Sequence, residues 1–213
     1  MNTIKSLLTL FIFSITFLGN AQDFKTPIAY LDFVSDEQEL ISKSMWKYTK
    51  AVAHSRSDKN INKKRQVLIK TMERAILKIE RANSYEDDGY KNQVLEHLNF
   101  NKDLLNEDYA KIIDMKAVAE QSYDAMEAYM LTRKLADQKM AESQANYEKN
   151  FYAFAAKHNI EIIESESDLG KKMKKSNEVF DHYNELYLIF FKVYINEVYL
   201  WDAMERKDVS AAQ

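Results

Sequence analysis

After residue 21 this 213-residue chain contains one proline, Pro27, and two glycines, Gly89 and Gly170. Sheets need tight reversals, and reversals lean on Gly, Pro, Asn and Asp for the backbone angles they demand. A chain this poor in turn residues, yet rich in Ala, Leu, Glu, Lys and Met, predicts helix almost throughout. Residues 22–213 are one domain's worth of chain, enough to bury a sizeable core.

Apolar spacing divides that helix into segments. Thr26 and Pro27 read as N-cap and first helical residue. Leu31, Val34, Gln38, Ile41, Met45, Tyr48 and Val52 then recur at steps of three and four, to about Arg56. Ser35 and Gln38 offer a capping box that would restart this helix. Asn60 is the expected cap of a second helix, with Leu68, Met72, Ala75 and Ile79 as its stripe, widened by Ile69 and Ile76. That helix ends near Asn83, and Ser84 to Gly89 reads as a loop.

A third helix is expected from about Tyr90 to Ile113, its stripe interrupted by Asn101. Asp114 either caps the next helix or lies inside a continuous one. A fourth runs from about Lys116 to Lys157, where Ala125, Ala128 and Ala136 would permit close helix approach. His158 to Glu164 predicts a short extended piece, and Ser165 to Asp168 a capping box. The last helix, to about Lys207, carries two adjacent stripes: Tyr183, Tyr187, Phe190, Tyr194, Val198 and Trp201, then Leu186, Ile189, Val193 and Leu200. So wide an apolar arc places it at the centre of the bundle. The expected fold is all-α: one domain over residues 22–213, an elongated antiparallel bundle of four to five long helices with coiled-coil-like packing.

The N-terminus reads as a cleavable secretion signal. Lys5 supplies the positive charge, Leu7 to Leu18 the apolar run, and Gly19-Asn20-Ala21 the small-residue site, so cleavage is expected between Ala21 and Gln22. The run is short of the roughly 20 apolar residues a spanning helix needs. The remaining chain is expected to lack a transmembrane span and to be periplasmic, secreted or at the cell surface. The chain has no Cys. Disulfides and a lipidated N-terminal Cys are thereby excluded, and packing alone must hold the fold. Of 30 Lys and Arg, all but Lys5 follow the signal, against 33 Asp and Glu, for a formal charge of −4. This mild acidity argues against a nucleic-acid partner, which wants a basic face.

Motifs for chemistry are few. A ferritin-like di-iron site needs Glu-x-x-His on two helices. The residues three before His54, His97, His158 and His182 are Ala51, Val94, Ala155 and Val179. Covalent haem attachment and the zincin motif are missing too. The reverse spacing makes His182 and Glu185 a candidate metal pair on one helix face, with His158 and Glu161 spaced alike. His54 and His97 read as surface or satisfied core residues. No nucleophile elbow or phosphate loop occurs, although Glu107, Asp108 and Asp114 cluster. No enzyme activity and no cofactor are expected. The outer face of the second helix, with Lys63, Lys64, Arg65, Lys70, Arg74, Lys78 and Arg81, could meet an anionic surface. The aromatic stripe of the last helix could instead line an apolar cavity.

Several stretches carry a resemblance. They are Met45-Trp46-Lys47-Tyr48 running on to Ala53-His54-Ser55, Leu105 to Lys111, Glu120 to Tyr129, Phe154 to Asn159 and Tyr183 to Phe191. Together they resemble an uncharacterised family of exported or surface helical proteins of Bacteroidetes and spirochaetes. The resemblance implies export and a helical fold, and carries over no catalytic residues. The expected function is a non-enzymatic helical-bundle protein of the cell envelope. It would act by surface interaction or structurally, through an envelope component or self-association. The alternative is a periplasmic bundle that binds a small molecule or metal.

Overall fold

Thr26 and Pro27 do open the first helix, α1 (Pro27–His54), and the Thr26 side chain accepts a hydrogen bond from the Ala29 amide at 3.2 Å. The computed structural model describes residues 22–55, 57–163 and 167–211. The expected signal, residues 1–21, lies outside the described residues, as do Ser165 and Glu166. No restart occurs at Ser35: α1 continues unbroken to His54. The second helix, α2 (Asp58–Arg81), is capped by Ser57, which accepts from the Asn60 amide, so Asn60 sits inside the first turn rather than at the cap.

The third helix, α3 (Gly89–Asn106), follows a loop in which the Asp87 carboxylate accepts from the Gly89 amide at 2.8 Å. A Cβ at residue 89 would lie 2.9 Å from that oxygen, so glycine permits this close approach. The expected third helix does not run on to Ile113. It breaks at Glu107, and a separate helix, α4 (Asp108–Ala119), carries Asp114 in its interior. The reason lies in another helix. Arg65 of α2 is buried and donates from Nη1 to the Leu105 carbonyl at 2.5 Å, beside the break. A side chain entering the backbone ladder is a known cause of kinks. The fourth break is a conventional cap: Ser122 accepts from the Ala125 amide and starts α5 (Tyr123–Lys157).

Asn159 ends α5. Its φ of 54° and the Ile160 amide bonded to the Ala155 carbonyl at 2.8 Å form a left-handed C-terminal cap. The extended piece expected here is not a strand among the described residues; Ile160 and Ile162 instead tuck against the core. Ser167 accepts from the Gly170 amide and caps the last helix, α6 (Asp168–Glu205).

The fold is therefore all-α, with α3 and α4 forming one kinked rod. Pairings fix the topology. The Asn83 amide donates to the Gln22 carbonyl at 3.0 Å, so the end of α2 returns to the start of α1. Tyr30 meets Tyr90, Gln38 meets His97 and Tyr48 meets Tyr109, so α1 and the α3–α4 rod run parallel. Tyr90 stacks on Phe154 and His97 on Tyr147, so α5 runs antiparallel to α3. The Lys157 ammonium, 2.7 Å from Asp87, ties the end of α5 to the α2–α3 loop. Alternating directions with short connections make an up-and-down bundle of α1, α2, α3–α4 and α5.

Its core includes Tyr30, Val34, Leu68, Ile79, Val94, Leu98 and Leu105, each nearly inaccessible. Each such aliphatic side chain contributes about 1.5–3 kcal/mol through removal from water. Close to 57 Å long at 1.5 Å per residue, the 38-residue α6 is not central. It lies outside the four-rod bundle, antiparallel to the first half of α5. Phe180 meets Arg133, Lys192 lies over Tyr123, and the Tyr199 hydroxyl donates to the Gln121 carbonyl. There a second, small core forms from Ala119, Met126, Phe191 and Ile195.

Candidate functional site

A binding or catalytic centre of a helical bundle would be built from polar residues in its interior. Gln38, His97, Asn101 and Ser143 converge from α1, α3 and α5. His97 Nδ1 lies 2.9 Å from Ser143 Oγ and 3.1 Å from the Ser143 carbonyl. The carbonyl can only accept, so Nδ1 carries the proton and Nε2 accepts from Gln38 Nε2 at 3.2 Å. Asn101 donates to Ser143 Oγ at 3.2 Å, and Tyr147 stacks on the imidazole, 4.7 Å between centroids. Desolvation by burial pushes His97 down to about 4 from its ordinary 6.5, and it stays neutral at pH 7. The cluster is a packed polar layer that holds three helices in register. Of the two readings the sequence allows for His97, surface or satisfied core, the structure shows the core one.

A second polar group sits lower in the bundle. Tyr109 donates to Asp137, and Arg133 lies 3.8 Å from the same carboxylate. Burial raises both Tyr48 and Tyr109, Tyr48 to about 12, so both remain neutral donors. The acidic cluster forms no common site: Asp108 pairs with Lys139 at 2.7 Å, while Glu107 and Asp114 are exposed.

The candidate metal pair lies on the surface. His182 and Glu185 are both exposed on α6, and among the described residues no three His, Asp or Glu side chains gather as a metal site. His158 Nδ1 lies 3.8 Å from Glu86, with its ring beside Tyr85 and Phe154.

The expected basic face of α2 loses two members. Arg65 faces inward and is buried at the α3–α4 kink, because the helical step from Leu68 and Ile61 puts it on the core side. Lys78 Nζ donates to the buried Glu37 of α1 at 2.5 Å. Lys63, Lys64, Lys70, Arg74 and Arg81 remain outward, and no carboxylate pairs with them among the described residues. Near the α1–α2 turn, Lys47, Lys50, His54 and Lys64 rim an open depression.

The feature that stands apart is the outer side of α6. Phe191, Ile195 and Ala203 are buried. On the other side of the same helix, Phe190 is 69 %, Val193 66 %, Trp201 60 % and Tyr183 57 % exposed. Eight of the exposed positions keep a heptad spacing, seven of them apolar. Val179, Tyr183, Leu186 and Phe190 step by four, three and four; Val193, Glu197, Leu200 and Met204 continue three, four, three and four. That alternation is the signature of a coiled-coil seam. Tyr183, Leu186, Phe190, Val193 and Leu200 stand out in the sequence as apolar stripes, but there they read as core; Val179, Glu197 and Met204 do not stand out. Exposed apolar patches on monomers rarely exceed a few hundred Å², and larger ones mark interaction sites. Among the described residues no helix is long and apolar enough to cross a membrane.

Searches against protein families, curated proteins and solved structures find no match to this chain.

Proposed function

We propose that this protein is an exported, non-enzymatic helical bundle of the cell envelope that acts through its surface. The observation that carries the reading is the outer face of α6, a heptad-spaced row, apolar except for Glu197, exposed along seven turns of helix. Water-exposed aromatic and aliphatic side chains at this density cost solubility unless they meet something. The sequence supports the address: Lys5, the Leu7–Leu18 run and the Ala21–Gln22 junction form a secretion signal. The polar layer around His97 supports a structural interior, since Gln38 and Ser143 hydrogen-bond with the imidazole, and Asn101 with Ser143, across three helices. The five outward cations of α2 form a separate patch that would favour anionic neighbours. Fractionation of the host with N-terminal sequencing tests the proposal. The protein is expected in the periplasm, envelope or medium, beginning at Gln22. Recovery from the cytoplasm with Met1 intact would defeat the export half, and substrate turnover by the purified protein would defeat the non-enzymatic half.

A further inference from the structure

The seam on α6 carries a more specific inference about what covers it. It deepens the surface reading above and rests on it. We infer that two copies of this chain pair through α6, antiparallel, about a twofold axis between Phe190 and Val193.

Three observations point to a second copy. The first is area. Tyr183, Phe190, Tyr194 and Trp201 are 57–69 % exposed, and at roughly 150–250 Å² per aromatic side chain they present about 500 Å². The aliphatic seam residues bring the face to about 800 Å², what one partner contributes to a stable interface of standard size. The second is pattern. Steps of three and four from Val179 to Met204 are what a facing helix of the same period requires, each side chain entering a gap between four others. With the axis between Phe190 and Val193, all eight seam positions overlap: Val179 faces Met204, Tyr183 faces Leu200, and Leu186 faces Glu197. A twofold contact of this kind closes on itself and leaves no open end to grow into fibres. The third is charge. Residues 168–175 carry four lysines against Asp168, whereas residues 197–208 carry four carboxylates against Arg206 and Lys207. Antiparallel pairing keeps the two lysine runs at opposite ends of the pair and brings Lys175 level with Asp208, although it also sets Glu178 level with Glu205 and Asp181 with Asp202. Parallel pairing would stack like charges.

The seam side chains point away from Phe191 and Ile195, so substituting them leaves the small core intact. Analytical ultracentrifugation of the protein as its host processes it should give twice the chain mass at micromolar concentration. Phe190→Glu with Val193→Glu should give a monomer whose circular dichroism is unchanged. A wild-type protein that stays monomeric at 100 μM overturns the pairing, and so does a dimer that survives the double substitution. Orientation is read by cross-linking, which the absence of Cys makes clean. Val179→Cys with Met204→Cys should oxidise to a covalent dimer, while Met204→Cys alone should not. A disulfide dimer from Met204→Cys alone overturns the antiparallel arrangement. Flotation with phosphatidylglycerol-containing vesicles separates the remaining cases. A monomer that floats through the seam overturns pairing but leaves the surface reading standing. A monomer that neither floats nor self-associates removes the observation on which both rest.

Discussion

Two helices of this molecule, α2 and α6, have comparable apolar periodicity and opposite fates. In α2 the stripe of Leu68, Ile69, Met72, Ala75, Ile76 and Ile79 is buried to the last residue, and the far side is charged. In α6 apolar residues occupy two arcs. One is covered by α4 and α5 through Phe191 and Ile195, and the other is open. The difference teaches that a stripe of helical period states a demand for a partner without saying where the partner comes from. Three neighbours from the same chain close over the α2 stripe, while α6 lies on the outside of the bundle with one arc left open.

The comparison can be broken or sharpened experimentally. Leu68→Ala, at a fully buried α2 position, should cost about 3–5 kcal/mol in chemical denaturation, the range for a cavity in a core that cannot collapse. Phe191→Ala, in the small core beneath α6, should cost about 3 kcal/mol. If Phe191→Ala proves neutral, α6 is not docked through that face at all.

His97 ties α1, α3 and α5 together, and its titration reports whether the polar layer is as dry as its neighbours imply. Its folded value near 4 lies below the ordinary 6.5. Below pH 6.5 the unfolded chain binds a proton that the folded chain refuses, so stability present above pH 6.5 is lost as pH falls toward 4. The loss should reach about 3 kcal/mol at pH 4 relative to pH 7. It is measured as the difference in urea midpoint between wild type and His97→Gln, because other carboxylates titrate in both. An identical pH dependence in the two proteins would show a wetter layer.

Ser57→Ala removes the cap of α2 and should cost about 1 kcal/mol. The smallest effect is expected next door to a large one. Phe190→Ala should change the stability of the monomer, measured at high dilution, by less than about 0.5 kcal/mol. The contrast between Phe190 and Phe191, adjacent residues on opposite sides of one helix, is the sharpest single test of which side of α6 is covered.

Much of the helical layout was legible beforehand. The α1 cap, the buried stripes of α1, α2 and α3, and the end of α5 follow from apolar spacing and local capping chemistry, which act within a few residues. The kink at Glu107 was not legible, because its cause is Arg65, forty positions away in the chain. Arg65 itself was half legible: its spacing from Ile61 and Leu68 puts it on the core side, yet it counts as one of a run of surface cations until Leu105 supplies a carbonyl for it. Lys78 likewise looks solvated until Glu37 arrives from α1. The candidate surface on α6 was half legible. Tyr183, Leu186, Phe190 and Val193 stand out as apolar positions at helical spacing, yet their spacing is equally that of a core.

The sequence by itself determined that this chain is helical, where most helices begin, and which side chains seek to leave water. Periodicity, Gly and Pro scarcity and capping residues settle those matters because they are local. Only the tertiary structure decided which of those side chains succeed. A helix has room for two apolar arcs, and the rest of the chain covers just one of those on α6, so Phe191 is in the core and Phe190 is in water.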